Sequence, residues 1–202
     1  MVALLTPCGL SGENLLYWVA EHAKHVKPAR CVIITTASQL KEQNEWAQFA
    51  CKQLIDLGLP CVDFFDFEKQ DIATLTGDNF LYVNGGNTFR LMHAMAQQNI
   101  WDYLNSFFAR DGIYIGVSAG SAVMGRRIDF LSHIGMDPDE YDWGDKPALG
   151  FYDGLILPHA DDKWSPLMVA LSKTGVLEIK DGDAVVLNPA TGCIEQKLTA
   201  LC

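Results

Sequence analysis

The stretch "GVSAGSAVM" (116–124) places a single hydroxyl between two glycines, directly after the apolar run "GIYI". Gly116, Ser118 and Gly120 fit the pattern G-x-S-x-G, in which a serine lies on a sharp turn between a strand and a helix. That turn holds the serine oxygen clear of the sheet, and the N-terminus of the helix favours developing negative charge. We therefore predict that Ser118 is a nucleophile. The alternative is a tight junction in which Ser118 only caps the helix.

Two further segments have unusual residues at predicted strand ends. In "YVNGGNTFRLM" (82–92), the glycine pair can bring backbone N–H groups close to an anionic ligand, and Asn87 or Thr88 can cap the following helix. We also assign Asn87 to substrate binding. In "LILPHADD" (155–162), His159 follows an apolar strand and a proline, where it can serve as the base for Ser118. The other four histidines fit solvated or structural roles better.

Short apolar runs alternate with amphipathic ones along most of the chain, which predicts an α/β fold with a mostly parallel central sheet and helices on both faces. In the segment 41–57, the residues Trp46, Phe49, Ala50, Leu54 and Leu57 lie on one helical stripe, which predicts a helix. Predicted strands are 2–6, 31–37, 61–67, 80–83, 112–117, 154–159 and short runs in the tail; predicted helices are 12–25, 41–57, 88–98 and 100–110. We expect residues 1–202 to form one domain.

Composition narrows the function. The chain has 202 residues, a formal net charge of −10 and 20% charged residues, so we expect neither nucleic acid nor an anionic membrane as a partner. Its six cysteines are scattered without a CxxC pair, and no signal-peptide pattern precedes the first strand. This predicts reduced thiols, mostly in the core, and a cytoplasmic location. We expect no cofactor and no metal. The oligomeric state is left open, a homodimer included.

The segments above resemble the serine peptidases that include dipeptidase E (aspartyl dipeptidase) and cyanophycinase. The resemblance covers nearly the whole chain and includes "ALLTPCGLSG", "VIITTAS", "GGNTFRLM", "GVSAGSAVMG" and "LPHAD". It implies a fold like that of class I glutamine amidotransferases, and a Ser–His–acid triad in the chain order nucleophile, acid, histidine. Carried over, Ser118 attacks the scissile carbonyl, His159 takes its proton, and the backbone N–H groups of Gly86 and Ala119 form the oxyanion hole.

The acid departs from the family pattern, because the aligned position holds His133. Nearby carboxylates are Asp129, Asp137, Asp139 and Glu140. We predict Asp137, since "MDPD" resembles a stretch of other members between the serine and the histidine, with Asp129 as the second choice.

The resemblance implies small peptides as substrates, with aspartate at the N-terminus. Recognition of an aspartate side chain needs a cation, for which the candidates are Arg90, Arg126, Arg127 and Lys163. Two other functions stay open. One is a metal-dependent hydrolase that uses His159, Asp161 and Asp162, and the other is a non-catalytic module that binds a small metabolite on the same fold.

Overall fold

The computed structural model describes residues 1–26, 29–59, 61–161 and 175–199. Strands and helices alternate along the first two thirds of the chain, as predicted. The strands are β1 (Val2–Thr6), β2 (Arg30–Ile34), β3 (Cys61–Phe65), β4 (Phe80–Val83), β5 (Ile113–Val117), β6 (Leu155–Pro158), β7 (Val176–Ile179), β8 (Asp183–Asn188) and β9 (Cys193–Thr199). The helices are α1 (Glu13–Lys24), α2 (Glu45–Asp56), α3 (Thr88–Ala96), α4 (Ile100–Ala109), α5 (Ala119–Ala122) and α6 (Phe130–His133), with 3-10 turns at Lys41–Gln43 and Ile72–Thr74.

The central sheet has seven strands in the order β3-β2-β4-β5-β1-β8-β9. The pairs from β3 to β1 are all parallel, and β8 and β9 join antiparallel at one edge. The carboxyl ends of β4, β5 and β1 therefore meet at one edge of the sheet, where open α/β sheets bind ligands. The predicted fold class is confirmed.

Alternate residues of each strand point to opposite faces, and each face is covered by helices. One core contains the buried faces of α3 and α4 together with Val32, Ile34, Leu81, Val83 and Tyr114. The other contains α1 and α2 together with Leu4, Cys31, Ile33, Tyr82 and Ile115. Strands buried on both faces explain the nearly continuous apolar runs in the sequence.

The strands β6 and β7 form a separate parallel pair, in which Pro158 lies opposite Ile179. The residues that directly follow the two strands therefore begin side by side. Helices in the described part of the chain are all too short or too polar to span a bilayer.

Two features of burial differ from a simple pattern: the apolar stripe of α2 is partly exposed, and the prediction that most cysteines are core residues is wrong. In α2, the buried residues are Ala47, Ala50 and Leu54, whereas Trp46 and Phe49 are 66% and 56% exposed. The cysteines are free thiols, as expected, but most are not core residues: of the five in the described ranges, Cys31 is buried, Cys51 is half-buried and the other three are exposed.

Candidate active site

Ser118 lies on the sharp turn between β5 and α5, with φ 50° and ψ −107°. Its neighbouring glycines are required by close packing. A Cβ on Gly120 would lie 2.3 Å from the carbonyl oxygen of Val83, and one on Gly116 would lie 2.5 Å from the carbonyl oxygen of Gly120. Because any larger residue would displace the helix from the sheet, the G-x-S-x-G spacing follows from the turn itself.

The hydroxyl of Ser121 links the Ser118 turn to the neighbouring strand β1. This buried oxygen accepts a hydrogen bond from the backbone N–H of Thr6, and the carbonyl oxygen of Gly116 lies 2.8 Å away. The backbone N–H of Ser118 in turn donates to the carbonyl of Thr6 at 2.9 Å. The strained backbone of Ser118 is therefore fixed by β1 and β5 together.

His159 directly follows β6 and also has a positive φ, of 55°. Its Nε2 lies 3.1 Å from Oγ of Ser118, and its Nδ1 lies 2.7 Å from Oδ1 of Asp181. An ionised carboxylate can only accept, so Nδ1–H donates to Asp181 and the neutral Nε2 accepts from the Ser118 hydroxyl. The three side chains form one continuous line of hydrogen bonds.

Asp181 reaches His159 because β6 and β7 are paired. Pro158 lies opposite Ile179, so His159 and Asp181 lie on adjoining turns, and the backbone N–H of Ala160 donates to the carbonyl of Ile179. The Asp181 side chain is 65% exposed and that of His159 is 35% exposed. The carboxylate of Asp181 is thus at the rim of the site, in contact with water.

Asp137, the predicted acid, lies elsewhere. Its carboxylate accepts hydrogen bonds from the backbone N–H of Thr88, at 3.0 Å, and from the Thr88 hydroxyl, so it caps the start of α3. Both ring nitrogens of His159 have partners, and neither partner is Asp137. The second choice, Asp129, forms an ion pair with Arg127, with both of its oxygens engaged. Sequence reasoning missed Asp181, although it follows an apolar strand just as His159 does.

The glycine pair after β4 lies against the serine. A Cβ on Gly85 would lie 3.2 Å from Cβ of Ser118, and one on Gly86 would lie 2.3 Å from the carbonyl oxygen of Ala37. Gly86 has φ 141°, a conformation that favours glycine, so its backbone can approach both neighbours.

Asn87 does not point its amide at this site. Its Oδ1 accepts from the backbone N–H of Arg90 and caps α3, and its Nδ2 donates to the carbonyl of Pro138. The expected cap at Asn87 is present, but both ends of the amide that we assigned to substrate binding are occupied.

A cavity of about 500 Å³ opens beside the hydroxyl of Ser118 and the ring of His159. This is within the usual size range of small-ligand pockets. Its lining comes from the loop after β1, the segment between β2 and α2, α2 itself, the end of β4 with the glycine pair after it, the Ser118 turn, and the residue after β6. The lining residues are Pro7, Cys8, Gly9, Leu10, Ser11, Ser38, Asn44, Trp46, Phe49, Gln53, Tyr82, Asn84, Gly85, Gly86, Val117, Ser118 and His159.

Three potential metal ligands converge at the rim of this cavity. The ligand atoms of Cys8, His159 and Asp181 all lie within 4.8 Å of one another. Partial desolvation of the thiol, followed by the hydrogen bond and negative charge of Asp181, raises the pKa of Cys8 to about 11. This set differs from the metal site considered from the sequence, in which Asp161 has other interactions and Asp162 lies outside the described residues.

This chain is similar to known peptidases in sequence and in fold. An uncharacterised peptidase of Listeria monocytogenes is 26% identical over 153 residues, covering 74% of each chain, and one of Pasteurella multocida is 24% identical over 143 residues, covering 69% of each. Among solved structures, a protein of L. monocytogenes provisionally named peptidase E gives a TM-score of 0.77 at 22% identity, covering 100% of this chain and 98% of that one. A peptidase from an acI-B1 actinobacterium gives 0.67 at 19% identity, covering 98% and 94%. The two structures support the fold. The sequence profile of peptidase family S51 matches residues 9–192, and the chain therefore belongs to peptidase family S51.

Proposed function

We propose that this chain is a serine peptidase that hydrolyses small peptides through an acyl-enzyme, with Ser118 as nucleophile, His159 as base and Asp181 as the orienting acid. The observation that carries the proposal is the line of hydrogen bonds from Asp181 through His159 to Ser118. A serine is a weak nucleophile at neutral pH, and a base in this position is what activates it. Because the chain belongs to a peptidase family, we propose that the bond cleaved is a peptide bond.

In the proposed reaction, Oγ of Ser118 attacks the scissile carbonyl while its proton moves to Nε2 of His159. The negative charge of Asp181 stabilises the imidazolium that forms, and its hydrogen bond keeps Nδ1 protonated. The C–N bond then breaks, and the leaving amine takes the proton from Nε2. Water attacks the ester, again with His159 as base, which releases the acid product and restores Ser118.

For the oxyanion we retain the predicted donors, the backbone N–H groups of Gly86 and Ala119. Gly86 lines the cavity together with Ser118, and its glycine loop packs against the serine Cβ. Ala119 follows Ser118 at the first position of α5, where an N–H group has no partner within its own helix. Donors fixed in place before the reaction stabilise the tetrahedral intermediate without reorganisation.

The test is covalent labelling of Ser118 combined with hydrolysis of a dipeptide library. We expect a fluorophosphonate to label the wild type at Ser118, as located by peptide mass spectrometry. Ser118→Ala should lose both labelling and hydrolysis, with kcat lower by about 10⁶. The matched control is Ser132→Ala, since Ser132 does not line the cavity and its hydroxyl donates to the carbonyl of Asp129. Substantial hydrolysis by Ser118→Ala would remove Ser118 from the mechanism.

A further inference from the structure

Two exposed aromatic side chains border the cavity beside Ser118. Trp46 and Phe49, three residues apart on α2, lie on the apolar stripe that predicts this helix, and they are 66% and 56% exposed. Large aromatic side chains that line a cavity and remain in contact with water gain free energy when a ligand covers them. With Leu10 on the adjoining loop, they give the cavity an apolar wall.

The amide side chains of the cavity are committed to one another and to the backbone. Oδ1 of Asn44 accepts from the backbone N–H groups of Trp46 and Ala47 and from Nδ2 of Asn84. Gln53 donates from Nε2 to the carbonyl of Leu10 at 3.1 Å. These groups hold the start of α2 and the loop after β1, and this internal bonding reduces what they can offer to a ligand.

Within the described part of the chain, the cavity lining contains neither lysine nor arginine. Of the predicted aspartate-binding cations, Arg90 lines a second, adjoining cavity of about 350 Å³, which shares Ser38 and Gly86 with the first. Its guanidinium is paired there, donating from Nε and Nη2 to Glu68. Arg126 pairs with Asp153, and Arg127 pairs with Asp129. Lys163 lies outside the described residues.

An aspartate side chain in this cavity would therefore lose water and meet an apolar wall, with the carboxylate of Asp181 near the mouth. We propose that the cavity binds a peptide residue with a large apolar or aromatic side chain next to the scissile bond, in preference to aspartate. The inference rests on the proposed function for the identity of that bond. The cavity's preference for an apolar side chain is a separate property that binding alone can measure.

The experiment measures binding without turnover. Four dipeptides, Phe-Ala, Ala-Phe, Asp-Ala and Ala-Asp, are titrated calorimetrically into the Ser118→Ala protein. We expect one of the phenylalanine dipeptides to bind at least about tenfold more tightly than either aspartate dipeptide, and the better of the two shows which side of the scissile bond the cavity holds. Adding Trp46→Ala or Phe49→Ala to this protein should weaken the binding of that dipeptide about tenfold. Ile55→Ala is the matched control, because Ile55 is 54% exposed on the same helix but does not line the cavity.

Equal or tighter binding of an aspartate dipeptide, or binding of the phenylalanine dipeptides that Trp46→Ala and Phe49→Ala leave unchanged, would overturn the inference. In the first case, Arg90→Gln and Lys163→Gln would identify the cation responsible. The proposed function fails by a different result, namely the absence of fluorophosphonate labelling at Ser118 in the wild type. An apolar preference in binding with no labelling would support the cavity's specificity in a protein that does not use Ser118.

Discussion

Replacement of Asp181 by asparagine tests the least expected member of the site. The substitution keeps the size of the side chain but removes the negative charge 2.7 Å from Nδ1 of His159. An asparagine can also present its N–H₂ group to Nδ1, which favours the tautomer in which Nε2 is protonated and cannot accept the serine proton. We therefore expect slower attack by Ser118 with the backbone unchanged.

The magnitude follows from the exposure of the pair. Two unit charges about 4 Å apart attract by about 1 kcal/mol in water and about 4 kcal/mol near a protein surface. At about 1.4 kcal/mol for each factor of ten, loss of the imidazolium's partner slows the reaction between about fivefold and about a thousandfold. Removal of a fully buried triad acid costs about 10⁴. Because the Asp181 side chain is 65% exposed and water can partly replace it, we expect a loss of about 10².

The assay separates this effect from loss of binding. Hydrolysis of the best dipeptide should show kcat reduced about a hundredfold with KM nearly unchanged, since Asp181 acts through His159. The rate of fluorophosphonate labelling should fall in parallel, because labelling also needs the base. Asp181→Glu should recover part of the rate. If Asp181→Asn stays within twofold of the wild type in both assays, the contact between Asp181 and His159 has no part in catalysis.

Three further outcomes are expected. Asp137→Asn should leave kcat nearly unchanged but lower Tm by a few degrees, because Asp137 caps α3 and a cap contributes about 1 kcal/mol to stability. A large loss of kcat would instead support Asp137 as the acid of the triad. The guanidinium of Arg90, followed by the ammonium of Lys41, lowers the pKa of Glu68 to about 2. The ionised carboxylate stabilises the fold above its pKa in the unfolded chain, which is about 4.5. The difference in Tm between the wild type and Glu68→Gln should therefore shrink as the pH falls from 4.5 to 2, and a constant difference would contradict this reasoning. Finally, dialysis against EDTA should leave hydrolysis unchanged, whereas a loss that Zn²⁺ restores would favour a metal-dependent hydrolase built on Cys8, His159 and Asp181.

The sequence predicts the parts of the site that are encoded locally. The turn at Ser118 needs only a strand, a helix and two small neighbours, all adjacent in the chain, and the structure has that turn. The position of His159 at the end of a strand was likewise visible from "LILPH". The pairing of β6 with β7 could not be predicted in this way, because two short apolar runs separated by about twenty residues do not indicate which strand each will pair with.

That pairing brings to His159 a carboxylate from outside the segment in which we predicted the acid. The resemblance implies an acid between the serine and the histidine, and the carboxylates considered for it lie in the segment from 126 to 148. In the structure the three residues occur in the chain order Ser118, His159, Asp181. Periodicity predicts the helix α2 but not the exposure of Trp46 and Phe49, since an apolar stripe on a helix looks the same whether it faces a core or an open cavity.

The three residues of the site are held with unequal rigidity, and this predicts how their removal should rank. Ser118 and His159 both have positive φ values, which cost about 1–3 kcal/mol each and persist only where the surrounding structure enforces them. Asp181 instead extends from an exposed turn after β7. The chain therefore fixes the two atoms between which the proton moves in the proposed mechanism, Oγ and Nε2, and leaves the supporting charge to a side chain in water. Because water can substitute for a carboxylate but for neither the nucleophile nor the base, loss of Asp181 should cost less than loss of His159 or Ser118. The measurement is kcat for Asp181→Ala and His159→Ala. Equal losses in the two variants would mean that the Asp181 carboxylate acts in a site from which water is excluded. The reaction would then occur in a more closed arrangement than this open rim.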